Sequence, residues 1–224
     1  MVLSMGKVLI AVPCMGSVSA DFFDSIVHLR NDGTNLLALE ANSLVYNARA
    51  HLTMKAIEIG AEWMMFIDSD MVFPPDVIEK LLDTAISEEA DLVTGIYFKR
   101  KFPTQPVICK NIYWSQDPKT GELDGGAEVY EDYPRDSVFP IEACGMACTL
   151  IKLSAIQDCA NACRMSPYQP LPGLSEDFSF CFRMKQLGKK MLCDSRVKVG
   201  HIGAMIFDEA VWLRQQTMKG GDEK

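Results

Sequence analysis

The chain is predicted to be an α/β protein with one mostly parallel central sheet flanked by helices, and three observations carry that prediction. Short, largely apolar runs at residues 7–13, 63–67 and 91–97 read as strands buried on both faces rather than as alternating, half-buried ones. The segments between them carry apolar residues at helical spacing. Strand, helix, strand, helix, strand follow one another in about 65 residues, the rhythm of a right-handed α/β unit. The 224 residues, 48% hydrophobic and 23% charged, suffice for one full core and match an ordinary globular composition. The expected organisation is therefore a single domain over 1–218 with a disordered tail at 219–224.

Taken in order, the first strand ends at Pro13, and Cys14-Met15-Gly16-Ser17 forms the loop at its carboxyl end. Ser19 or Asp21 caps a helix over about 20–30, with Phe22, Phe23, Ile26 and Leu29 facing the core. A second strand falls at 36–39. A helix over 42–59 puts Val45, Ala48, Leu52, Ala56 and Ile59 on one side, and Gly60 terminates it. After the strand at 62–67, Pro74 and Pro75 lead into a helix at 75–86. The strand at 91–97 runs into a loop with prolines at 103 and 106. The polar, glycine-bearing stretch 113–137 reads as a hairpin or mobile surface excursion. Residues 138–153 rejoin the sheet around Gly145, and Ser154 caps a short helix through Cys163. A loop at 167–172 precedes a helix that opens at Ser175-Glu176-Asp177, turns Phe178, Cys181, Phe182 and Leu187 inward, and closes at Gly188. The last strand, 192–199, ends at Gly200-His201-Ile202-Gly203.

Composition excludes several classes of function. The net charge of −8 argues against a partner held through a nucleic-acid backbone. No apolar run approaches the ~20 residues needed to cross a bilayer, and no signal-peptide pattern is present, so a cytoplasmic location is expected. Eight cysteines occur without a single Cys-x-x-Cys pair, which speaks against structural zinc; in a reducing compartment they read as small buried hydrophobes.

Phe66-Ile67-Asp68-Ser69-Asp70 is the stretch with the clearest chemistry. Ligands of open α/β sheets collect at the carboxyl ends of strands, where these two carboxylates fall. Hard oxygen donors there suit Mg²⁺ or Mn²⁺ set against a diphosphate, whereas the plainer reading is a polar turn capped by Asp68 or Ser69. Lys99-Arg100-Lys101, the densest positive run, reads equally as a solvated loop or as a countercharge to an anionic substrate. Glu176-Asp177 alone suits a helix N-terminus, and His201 alone suits a turn. Together with Asp68 and Asp70 they supply a cation site and a further carboxylate for proton removal.

In this order the residues resemble the glycosyltransferases of the GT-A fold, specifically short members related to the large inverting glycosyltransferase family. The likeness runs from about Lys7 to Ile206 and rests on the Asp-x-Asp run, on Thr94-Gly95-Ile96-Tyr97 followed by Arg100, and on residues 141–150 around Gly145. Glu176-Asp177 with Phe180 and Arg183, then His201 and Gly203, complete the set, and Asn47-Ala48-Arg49 stands upstream. The resemblance implies a nucleotide-sugar donor, most often a UDP-sugar, bound by about 1–100, and an acceptor half over about 101–206. It implies Mn²⁺ or Mg²⁺ held by Asp68, Asp70 and His201, with Asp68 also able to reach the ribose. Pro13, Arg49, Asp68, Ser69 and Arg100 would contact the donor, and Gly145 and Met146 the acceptor. Asp177, with Glu176 as second candidate, would take the proton of the acceptor hydroxyl, with a lean toward inversion. Val12-Pro13-Cys14-Met15-Gly16 matches the wider family's opening only in part, and Glu40 is the stand-in for its acidic base contact. No Gln-x-x-Arg-Trp signature of processive synthases occurs. A sugar nucleotidyltransferase and a non-catalytic nucleotide-sugar-binding module are the competing readings; the first would want a glycine-rich phosphate loop after the first strand, which Cys14-Met15-Gly16-Ser17 is not.

Overall fold

A computed structural model describes residues 6–31, 33 and 35–219. Its central sheet has seven strands: β1 (Val8–Cys14), β2 (Leu36–Ala41), β3 (Trp63–Ile67), β5 (Leu92–Ile96), β8 (Val138–Pro140), β10 (Cys148–Lys152) and β11 (Met191–Lys198), in the order β2-β1-β3-β10-β5-β11-β8. β1 pairs in parallel with β2 and β3, and β5 with β11, while β10 runs antiparallel between β3 and β5. The sheet is thus mostly parallel, with β10 and the edge strand β8 reversed.

The strands are apolar throughout because both faces are covered. Leu9, Ala11, Met64 and Phe66 point into one core with α2 (Val45–Glu58), α4 (Leu153–Cys163) and α5 (Glu176–Gln186). The alternate residues Val8, Ile10, Met65 and Ile67 point into the other, under α1 (Ala20–Val27) and α3 (Val77–Ser87). Two smaller sheets accompany the central one among the described residues. One joins β4 (Met71–Val72), β12 (Gly200–Ile202) and β13 (Ile206–Phe207), and the other joins β6 (Ile108–Gln116), β7 (Leu123–Val129) and β9 (Ala143–Cys144). α6 (Glu209–Lys219) closes the described chain and sets Trp212 against Phe98.

Several expected elements shift. β1 does not stop at Pro13 but continues to Cys14, because Pro13 pairs with Glu40 of a parallel neighbour. Phe23 is 60% exposed, since the short α1 buries only Phe22. Helix α4 begins before Ser154, and Pro75 precedes α3 rather than opening it. In α5 it is Phe180, Cys181 and Met184 that are buried, while Leu187 is 38% exposed. The excursion is a hairpin that begins earlier than expected, at Ile108, and residues 138–153 divide between two sheets, β8 and β10 in the central one and β9 beside the hairpin. Of the expected tail, Lys219 ends α6 and the remainder lies outside the described residues. All eight cysteines are free thiols, seven of them buried. No helix among the described residues is long and apolar enough to cross a membrane.

Candidate active site

Asp68 and Asp70 leave the sheet at the carboxyl end of β3, where the antiparallel ladder with β10 reaches its last bond, Asp68 N to the Ala147 carbonyl at 3.1 Å. Asp70 is then caught by a second ladder. β4 pairs with β12, placing His201 opposite Met71, and Ile202 N donates to the Asp70 carbonyl at 2.7 Å. His201, far away in sequence, thereby brings Nε2 to 3.4 Å from Asp70 Oδ2. Its Nδ1 lies 2.9 Å from the Phe98 carbonyl. A carbonyl only accepts, so Nδ1 carries a proton and a neutral ring would turn the Nε2 lone pair toward the carboxylate. Two lone pairs facing each other call for a proton or a cation between them, so this donor set fits a divalent ion. Burial alone would raise the Asp70 pKa, but His201 and then Arg100 outweigh it and hold the carboxyl below its ordinary value. Arg100 Nη1 also contacts Asp70 Oδ2 directly.

Asp68 does not complete that pair. It turns to Arg49, whose Nη2 is 3.1 Å from Asp68 Oδ1 and 3.7 Å from Glu176 Oε1. Among the described residues no three His, Cys, Asp or Glu side chains converge as a metal cluster. Of the three expected metal ligands, Asp70 and His201 thus face each other, while Asp68 is paired with the buried guanidinium. Arg49 itself is 2% exposed and lies over the Phe66 ring at 5.1 Å. Desolvation would lower its pKa, yet Asp68, Glu176 and Asp177 more than offset this and raise it. Among the described residues its Nε and Nη1 have no hydrogen-bond partner.

Three adjoining cavities meet here. The first, about 590 Å³, is lined by Pro13, Cys14, Asn42, Asp68, Ser69 and Arg100 among others. The second, about 330 Å³, holds Arg49, Tyr97, Met146, Asp177 and His201, and shares Asp68 and Arg100 with the first. The third, about 420 Å³, shares Asp177, Lys99 and Val107 with the second. Arg49, expected beside the nucleotide, lines the second cavity and not the first, because α2 carries it onto the Phe66 face of β3. Glu40 lines none of the three; it pairs with His51 at 2.9 Å and Lys55 at 3.0 Å.

Asp177 stands in the first turn of α5. Its Oδ1 accepts from Phe178 N at 2.8 Å and from Ser175 Oγ, leaving Oδ2 without a partner among the described residues. Burial raises the Asp177 pKa, with Ser175, the Phe178 amide and Arg49 opposing. Glu176 is raised by burial and by the Asp177 charge, against Arg49. Gly145 makes this packing possible: a Cβ there would collide with Tyr97 Oη and come within 3.2 Å of Asp177 Oδ2. Tyr97 Oη accepts from Ala147 N at 3.3 Å.

Sequence reasoning did not assign Tyr97, Asn42 or Ser43 to the site. Asn42 and Ser43 follow the carboxyl end of β2, so the strand-end rule applied to every strand would have found them. The phenol of Tyr97 becomes a site group only through the Gly145 contact, which has no local signal.

Residues 22–122, just under half of the chain, match a family model described as Glycosyl transferase family 2. Among curated proteins no sequence matches significantly. A197 from STIV superposes with a TM-score of 0.62 at 18% identity, over 88% of this chain and 86% of that one. GalNAc-T7, solved with UDP, GalNAc and Mn²⁺, gives a TM-score of 0.57 at 10% identity, over 89% of this chain and 44% of the other. The chain has the GT-A fold of glycosyltransferases. It spans less than half of the GalNAc-T7 chain. In this GT-A framework the matched segment contains β2, β3, β5 and the hairpin strand β6, and so carries Arg49, Asp68, Asp70 and Arg100.

Proposed function

We propose that the protein is a metal-dependent glycosyltransferase that moves a sugar from a nucleotide-sugar, of UDP type, to an acceptor hydroxyl with inversion. The observation that carries this reading is the sharing of one cavity by His201, partner of Asp70, and by Asp177, next to a larger cavity at the strand ends. GalNAc-T7, of the same fold, is solved with UDP and Mn²⁺, which supports donor and metal alike.

On this reading the donor occupies the 590 Å³ cavity, with Pro13 and Ser69 in its walls and its diphosphate toward Asp70 and Arg100. Asp70 and His201 would hold Mn²⁺ or Mg²⁺, which offsets negative charge on the departing diphosphate. Arg100 is 56% exposed at its side chain and can exchange Asp70 for a phosphate oxygen. Lys99 and Lys101 add positive charge at the second cavity. Asp177 Oδ2 accepts the acceptor's hydroxyl proton while the acceptor oxygen bonds to the anomeric carbon. The bond from that carbon to the diphosphate oxygen breaks, and its electron pair leaves with the nucleoside diphosphate. Glu176 is less suited as the base because Arg49 engages it. Arg49 keeps three carboxylates compatible in one small volume, and Gly145 and Met146 border the acceptor hydroxyl.

Calorimetric titration of UDP-sugars with and without Mn²⁺ tests the reading. Binding that requires Mn²⁺ in the native protein and is lost in Asp70→Ala is the expected result. Equal binding by Asp70→Ala removes Asp70 from the donor site, and release of pyrophosphate from a nucleoside triphosphate in place of UDP from the donor favours nucleotidyl transfer instead.

A further inference from the structure

The third cavity, about 420 Å³, has no part in the donor site, and its walls define a chemistry. One wall is the inner face of the β6–β7 hairpin, with Cys109, Ala127 and Val129, and the other is the segment entering α5, with Leu174 and Phe178. The walls are tied together by Trp114 Nε1, which donates to the Pro172 carbonyl at 3.0 Å, and by Trp114 packed edge-on to Phe182. Burial pushes the Cys109 thiol up to about 12, so it stays neutral. The charged side chains lining this space are Lys99 and Asp177, both shared with the second cavity, and Lys99 Nζ already donates to Gln105 Oε1 at 3.1 Å. An occupant therefore lays an uncharged, apolar body against the hairpin and presents its polar end at Asp177. The volume lies in the lower part of the range for small-ligand pockets, about 300–1,000 Å³.

We propose that this cavity is the acceptor subsite, and that the acceptor is a small neutral alcohol with an apolar body, such as an alkyl or aryl glycoside, rather than a free sugar or an anion. The proposal rests on the glycosyltransferase reading for the role of Asp177, but the cavity's ligand preference is measurable without turnover.

Two probes with the same sugar hydroxyls isolate the apolar term: methyl β-D-glucopyranoside and octyl β-D-glucopyranoside, the latter kept below its micellar concentration. Each buried methylene contributes roughly fourfold in affinity, so the octyl probe is expected to bind at least about tenfold tighter. Ala127→Trp, which fills the cavity from the hairpin side, is expected to erase that difference. Equal affinity for the two probes, an unaltered preference in a folded Ala127→Trp, or tighter binding of octanoate than of the octyl glycoside each overturns the proposal. If Ala127→Trp does not fold, a diazirine-bearing octyl glycoside photolysed on the native protein replaces it. Labelling within 106–129 or 173–178 supports the subsite and labelling elsewhere overturns it. A UDP-sugar titration in parallel keeps the two readings apart. Donor binding without an octyl preference sinks the subsite alone, whereas an octyl preference without donor binding upholds the cavity and sinks the transferase reading.

Discussion

Asp177 and Arg49 concentrate the residue-scale argument. Asp177 keeps Oδ1 in two hydrogen bonds and Oδ2 free, so its substitution removes a proton acceptor while sparing the donor contacts. Asp177→Asn is expected to lower kcat by about 10²–10⁴-fold with little change in donor affinity, read by steady-state kinetics beside calorimetry. Because burial raises the Asp177 and Glu176 carboxyls, kcat in the proposed transfer should rise with pH through an apparent pKa above the ordinary aspartate value of 3.8, one belonging to the pair. The stability sign follows. A folded pKa above the unfolded one contributes stability that is full below the unfolded value and lost as pH rises through the folded one. The melting temperature of Asp177→Asn should therefore gain on the native protein as pH climbs from 3.8. Arg49 is the opposite case, a buried cation whose removal strands Asp68 and Glu176. Arg49→Ala is expected to cost about 3–5 kcal/mol in urea unfolding. Lysine is no rescue there, because its point charge cannot reproduce a guanidinium laid over Phe66.

At the scale of elements, one strand end and one short pairing bring the candidate residues together. β3 delivers Asp68 and Asp70 by the ordinary strand-end rule, but β4 and β12, only two and three residues long, bring His201 to Asp70. Gly200 is the close point: a Cβ there would stand 2.6 Å from both Val72 Cγ2 and Ile206 Cγ2. Both neighbours are β-branched and stiff, so the clash is relieved by parting the strands. Gly200→Val is expected to weaken Mn²⁺ binding by about 10–100-fold, the size of effect seen when support around a metal ligand is lost. Titration of Mn²⁺ against the UDP complex reads it, and unchanged affinity would show that the β4–β12 pairing does not orient His201. The paired strands were invisible in sequence because two residues carry no periodicity, whereas the five-residue apolar run of β3 was plain.

Across the whole molecule, the sheet separates a rim of cavities from a flank tied by ion pairs. At the flank, Asp194 is 1% exposed and accepts from Thr84 Oγ1 at 2.7 Å, Arg196 Nε at 2.8 Å and Arg196 Nη2 at 2.7 Å, joining α3 to β11. Burial would raise its pKa, but Arg196 and Thr84 prevail and lower it. A depressed folded pKa means stability that is present above the unfolded value, 3.8, and lost as pH falls through the folded one. Asp194→Asn is expected to cost about 1.5–3 kcal/mol at neutral pH by urea unfolding, a penalty that shrinks as the medium is acidified below 3.8. A constant penalty across that range would separate the loss from ionisation. The rim, by contrast, gathers three cavities from loops after β1, β2, β3 and β5 and from the entry to α5.

By itself the sequence determined the alternation of strands and helices, the mostly parallel sheet, and the strand end that carries Asp68 and Asp70. Each depends on local apolar period and on residues adjacent in the chain. Only the tertiary structure decided the partners. Asp68 goes to Arg49 and Asp70 to His201, Glu40 is consumed by His51 and Lys55, and Asp177 opens onto an apolar space beneath the hairpin. The physical reason is that a side chain's charge partner and burial are set by elements packed from distant parts of the chain. The sequence separation of 131 from Asp70 to His201, for example, is bridged by a two-rung ladder whose strands have no sequence signal of their own.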